Sequence, residues 1–242
     1  MSARLSGSGY ADALGGDGAA LADAAEGNLA RRVSSCPEWD VADLVWHTGG
    51  VHHFWGEIVD RRLQSYEDVV SPQRPEDSAL VSWFRAGVER LARRLRDADA
   101  NATVWTWAPE KKVSFVQRRM AQETAVHRWD VESATGDVRP IDSRLAVDGV
   151  DEFLDFFLPQ DRLGGGRDFV HLHSSDAAGE WVVTVENGRL DVRRGHEKAD
   201  VAVRGPASDL LLLLWRRIPP ATVEVLGDTT MLDRFLARAD LD

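Results

Sequence analysis

A chain of 242 residues with 43% hydrophobic and 29% charged side chains has the composition of a globular protein of one or two domains. That length buries a core without the disulfides or metal fingers that small modules need. Forty acidic side chains against 29 basic ones leave a formal charge of -11, a field that repels nucleic acid and anionic membrane. The longest apolar run, Leu210 to Trp215, is six residues, far below the ~18 of a membrane helix. The single Cys36 excludes an internal disulfide, and Met1 to Gly18 lacks the apolar stretch of a secretory signal, so a cytoplasmic protein is expected.

Helical periodicity runs through the first 140 residues, beginning with a glycine-interrupted helix expected over Tyr10 to Ala30. Cys36-Pro37-Glu38-Trp39 reads as a turn, and Asp40, with Asp43 three residues on, is placed to cap a second helix from about Val41. Its apolar positions Val41, Leu44, Val45, Val51, Trp55, Ile58 and Val59 keep three- and four-residue spacing, which turns His47 inward with them. A third helix is expected at about Ser78 to Arg96. A fourth, about Ser114 to Ala134, stacks Val116, Met120, Glu123, His127 and Val131, so a carboxylate and an imidazole interrupt its apolar stripe.

A helical stretch from Ser143 to Phe157 leads into a region of period-two alternation, with Gly164-Gly165-Gly166 read as a flexible loop. Strands are expected at Phe169 to His173, Trp181 to Glu186, Leu190 to Arg194 and Val201 to Arg204, with Asn187-Gly188 turning a hairpin between the middle pair. A helix (Ala207 to Arg217), a strand (Thr222 to Leu226) and a last helix (Thr229 to Ala239) follow. The pattern is α+β: a four-helix bundle over residues 1–145, then a smaller α+β domain over 146–242 with a mainly antiparallel sheet.

Four residues apart on one helix, Glu123 and His127 differ by about 40° and can face one point in a bundle core. His47 is the only other histidine this reading puts on a buried stripe, and two histidines with a glutamate form a recurrent open zinc set. The same spacing also permits a plain core histidine at 47 and a simple contact between Glu123 and His127. His52 and His53 lie about 140° and 240° around from His47 and are not expected as ligands. His171 and His173 share one strand face, read as solvated rather than metal-binding. Cys36 reads as a small residue packed in a turn, and the nine tryptophans as core filling or the lining of an apolar pocket. Nucleophile-elbow, dinucleotide and paired-cysteine motifs are absent from the sequence.

The stretch Ser35-Cys36-Pro37-Glu38-Trp39-Asp40-Val41-Ala42-Asp43-Leu44-Val45-Trp46-His47-Thr48-Gly49-Gly50-Val51-His52, followed by Glu123-Thr124-Ala125-Val126-His127-Arg128-Trp129-Asp130, resembles the mycothiol-dependent maleylpyruvate isomerase family. The resemblance covers both units. It implies a DinB-like four-helix metal-binding domain first, and, through Gly205 to Leu210 and Gly227-Asp228, a second domain similar to sterol-carrier folds.

What the resemblance implies for function is a metal-dependent enzyme of actinobacterial type. His47, Glu123 and His127 would hold a divalent metal, usually Zn2+, with mycothiol as thiol cosubstrate and a small electrophile as its target, by S-transfer or by cis–trans isomerisation. Isomerase-type members present an arginine from the C-terminal helix to a substrate carboxylate; here Leu210 to Leu214 are leucine throughout, with Arg216 and Arg217 beyond them and Arg204 before. Arg204 and Arg216 are the substrate-binding candidates. Asp130 is the candidate partner for the other nitrogen of His127, because a ligating imidazole usually gives that N–H to a carboxylate; a surface Asp near a helix end is the alternative. Two further readings stay open: a metal-stapled binding or regulatory protein, and metal-assisted hydrolysis.

Overall fold

Ser6 opens the first helix, α1 (Gly7–Ala25), by accepting a hydrogen bond from the Gly9 amide. The helix is continuous through its glycines and ends earlier than the expected Ala30, because Gly27 takes φ +72 and the chain folds back, with the Ala42 amide bonding the Leu29 carbonyl. At Asp40 the expected capping box forms: its side chain accepts from the Asp43 amide while the Asp43 carboxylate accepts from the Asp40 amide, starting α2 (Val41–Asp60). α3 (Asp77–Asp97) and α4 (Val113–Thr135) complete the bundle. The chain is described here by a computed structural model that covers residues 4–158, 165–239 and 241.

Packing runs α1 to α3, α3 to α2, α2 to α4 and α4 to α1, which sets α1 and α2 on one diagonal. α1 approaches α3 closely at Gly18, where a Cβ would lie 2.5 and 2.7 Å from the methyls of Val88. α4 is buried on almost every side rather than along one stripe. Two of its buried polar side chains are paired instead of solvated: Gln117 donates to the Leu95 carbonyl, and Arg128 reaches both Asp17 and the buried Glu132.

By its internal packing the chain divides at Arg139–Pro140 into two units. The second contains α5 (Ser143–Phe156) and five strands, β1 (Arg167–Ser174), β2 (Glu180–Glu186), β3 (Arg189–Arg194), β4 (Val201–Gly205) and β5 (Glu224–Gly227). Strand order is β3-β2-β1-β4-β5. Only β1 and β4 pair in parallel; the other neighbours are antiparallel, which makes the fold α+β. Asn187 and Gly188 both take positive φ, 52 and 74, as the two-residue turn between β2 and β3 requires.

One helix, α6 (Ala207–Leu214), is shorter than expected because Arg216 adopts φ 56, a left-handed conformation that ends the helix. The last helix is α7 (Thr229–Leu236). Val170, Leu172, Trp181, Val183, Val185, Val201 and Val203 are among the sheet's core residues, and Trp181 donates its indole N–H to Asp151 of α5. Of the expected glycine loop, Gly164 lies outside the described residues, while Gly166 has φ +91.

Candidate functional site

Two neighbouring helices of the bundle build the site. One turn of α4 separates Glu123 from His127, and their side chains meet with Nε2 of His127 3.1 Å from Oε1 of Glu123. From α2, Nε2 of His47 comes to 3.5 Å from the same oxygen. The three ligand atoms lie within 4.8 Å of one another, so the side chains that spacing brought to one helix face are joined by the third across the helix pair.

Around this trio sits a set of groups that fixes its charge. Nδ1 of His127 is 3.0 Å from Oδ2 of Asp130, and Asp130, only 1% exposed, accepts a 2.7 Å bond from Ser35 on its other oxygen. The alternative of a surface Asp at this position is thereby excluded. On the far side of Glu123, Arg119 donates to Oε2 at 3.0 Å. Burial alone would raise the Glu123 carboxyl, but the His127 charge, hydrogen bonds from His127 and His47, and Arg119 outweigh it and hold the group well below the usual carboxylate range. Burial likewise disfavours charge on His127, yet Glu123 and Asp130 overcome it and raise the imidazole to about 9.

His47 stands at the mouth of the site rather than deep inside it, with 38% of its side chain exposed. Trp39, in the turn before α2, packs against its ring at 4.9 Å between centroids. Beside it opens a cleft of ≈ 390 Å³ lined mainly by Trp46, Val51, Phe54 and Trp55. Trp46 in turn packs on Trp83 of α3.

Sequence periodicity misplaced one histidine. His52, expected off the buried face, is 2% exposed, stacks on Phe84 of α3 and bonds Oγ1 of Thr124 at 2.8 Å. The reason is that α2 packs against both α3 and α4, so its buried face runs through Thr48, His52, Trp55 and Val59 and leaves His47 half-buried at its edge. Desolvation is the main cause that lowers the His52 imidazole to about 4. His53, by contrast, bonds the Val70 carbonyl near the surface. Ser35 and Arg119 escaped sequence reasoning; Arg119 carried a signal in its four-residue spacing to Glu123, whereas Ser35 carried none.

In the second unit, Arg204 is exposed and paired with Glu224 across β4 and β5. Arg216 donates to the carbonyls of Leu236 and Ala239 at the end of α7. Leu210 to Leu214 are all buried. The expectation of a solvated face for His171 is overturned: it is 5% exposed and bonds Glu180, which the register sets opposite His173 on the same face.

A helical bundle that converges two imidazoles and a carboxylate, followed by an α+β unit, is the class of protein these features define. Residues 11–132 match the Mycothiol maleylpyruvate isomerase N-terminal domain, and residues 144–234 match the MDMPI C-terminal domain. The chain belongs to the mycothiol maleylpyruvate isomerase family, a family of enzymes.

Among solved structures, a histidine-to-alanine mutant of the mycothiol-dependent maleylpyruvate isomerase aligns over 93% of this chain and 95% of its own, with a TM-score of 0.62 at 11% identity, a likeness of fold. The UbiJ-SCP2 ubiquinone synthesis protein is 25% identical over 41% of this chain and 93% of its own, with a TM-score of 0.30. The sec-alkylsulfatase Pisa1 from Pseudomonas sp. is 20% identical over 67% of this chain, with a TM-score of 0.36, and the chain spans 28% of that protein's length. No curated protein matches. Among the described residues, no helix is long and apolar enough to cross a membrane.

Proposed function

We propose that this chain is a metal-dependent enzyme that uses mycothiol against a small electrophile, by S-transfer or by cis–trans isomerisation of a maleylpyruvate-like compound. The observation that carries the reading is the meeting of His47 with Glu123 and His127. Their chemistry fits a divalent cation such as Zn2+: two imidazoles and an ionised carboxylate, separated by 3.1 and 3.5 Å, close to the ~3.3 Å edges of a tetrahedral zinc shell. Three protein donors leave a position open for a thiol. When bound there, the cation favours thiolate over thiol at neutral pH and holds it facing an electrophile.

The chain's own groups supply the rest. Asp130, itself held by Ser35, accepts a hydrogen bond from Nδ1–H of His127 and so aims Nε2 into the site. The His127 charge, the hydrogen bonds from His127 and His47, and Arg119 together hold Glu123 in its ionised form. The aromatic cleft beside His47, ≈ 390 Å³, has room for a small molecule against its apolar walls. We put S-transfer ahead of isomerisation because Leu210 to Leu214 are core residues, so α6 carries no cation for a substrate carboxylate, and beyond it Arg216 and Arg217 donate to backbone carbonyls. The lone Cys36 supports a reducing compartment, the cytoplasm, and use of mycothiol supports an actinobacterial source.

Metal content by elemental mass spectrometry and calorimetric titration with mycothiol, on wild type and His47→Ala, test the reading. We expect the variant to hold one equivalent of metal fewer and to lose thiol affinity, as chelated wild type does. Equal metal content in both would return the trio to core histidines, and metal without thiol affinity would point to hydrolysis or a structural staple.

A further inference from the structure

The second unit gathers another set of donors that shares no residue with the bundle site. His171 and His173, two apart on β1, share one face of the sheet. The antiparallel register sets Glu180 of β2 opposite His173. On the other side of β2, the pairing with β3 ends at Trp181 and Arg194, and the next amide, that of Gly195, bonds the Glu180 carbonyl at 3.2 Å. Gly195 then takes φ +139, in the region that favours glycine, and the chain bends so that His196 comes over Glu180.

The outcome is three imidazoles on one oxygen. Nε2 of His171 and Nδ1 of His173 each lie 3.0 Å from Oε1 of Glu180, and Nδ1 of His196 lies 2.7 Å from it. One ligand atom from each of the four residues lies within 4.8 Å of the others. A carboxylate oxygen has two lone pairs, so three N–H donors oversubscribe it. A cation removes the conflict, because each imidazole then offers a lone pair inward and keeps its proton on the outer nitrogen.

We infer that His171, His173, Glu180 and His196 form a second divalent-metal site of zinc type. Three imidazoles and a carboxylate supply four protein donors, a closed shell without the open position that a catalytic site keeps. Imidazole donors select zinc-like transition ions over magnesium or calcium. His196, 75% exposed, is the side from which the ion enters. Bound metal ties β1, β2 and the segment after β3 together, and stabilises the second unit by mass action.

The test uses the full-length chain, stripped with a chelator and dialysed against Co2+, with bound metal counted and the visible spectrum recorded. His196→Ala, on an exposed position, and Glu180→Gln, near-isosteric, are each expected to bind one equivalent fewer than wild type and to lose a tetrahedral Co2+ band that His47→Ala retains. Circular dichroism checks that each variant is folded. If both bind as many equivalents as wild type, the site does not exist. Loss of the bundle site would lower wild type and these variants alike and leave their difference intact, so failure of the proposed enzymatic reading is told apart from failure of this one.

Discussion

Asp130 accepts from Nδ1 of His127 at 3.0 Å, one turn further along the same helix. The pair fixes the ring so that Nε2 faces Glu123 and His47, and Ser35, 95 residues earlier, locks the carboxylate in place. In Asp130→Asn the acceptor charge is lost while the shape is kept. Metal affinity at the bundle site should fall about 10- to 100-fold, measured by competition with a chromophoric chelator. Unchanged affinity would reduce Asp130 to a buried structural contact.

Glu123 shares its oxygens between Arg119 and the two imidazoles. Glu123→Gln removes the negative charge that holds His127 at about 9, so the imidazole should titrate lower in the metal-free variant. Proton NMR of the histidine C–H signals of chelated protein would follow it. A His127 midpoint that stays put would show that Asp130 alone sets it.

Stability of the chelated protein should have a maximum close to neutral pH. His52 is lowered in the folded state to about 4 from 6.5, so its contribution is present above 6.5 and lost as pH falls towards 4, a swing of about 3 kcal/mol. His127 is raised from 6.5 to about 9, so its contribution is complete below 6.5 and lost as pH rises through 9. Metal at the site replaces that proton and should flatten the alkaline limb, while its displacement by protons at low pH should steepen the acid one. Melting temperatures from pH 4 to 10, with and without Zn2+, check this; identical alkaline slopes would count against metal on His127.

Two glycines of α1 should respond to alanine with opposite signs. A Cβ added at Gly16 would meet no neighbouring atom within 4 Å, so Gly16→Ala should stabilise by up to ~1 kcal/mol through helix propensity. At Gly18 the methyl would press on the stiff, buried Val88, and Gly18→Ala should cost about 1–3 kcal/mol. Urea midpoints measure both, and a stabilised Gly18→Ala would mean that α1 and α3 can separate freely.

Much of this protein was legible locally. The capping box of Asp40 and Asp43, the hairpin at Asn187-Gly188, and the shared face of Glu123 and His127 are all contacts across two to four residues, where helix and turn geometry alone decide which groups meet. The family resemblance lay in such short segments too. His52 was misread because periodicity describes one helix, whereas burial depends on how many neighbours that helix has.

By itself, the sequence determined the elements, the α+β order of the two units and the pair Glu123–His127, because these follow from backbone hydrogen bonding and side-chain spacing within a single element. Only the tertiary structure decided that His47 reaches the same oxygen from another helix, that Ser35 holds Asp130, and that His171, His173 and His196 surround Glu180. Each of those contacts joins segments whose separation along the chain has no fixed relation to distance. Helix packing, strand register, the turn that carries Ser35 and the bend at Gly195 bring them together.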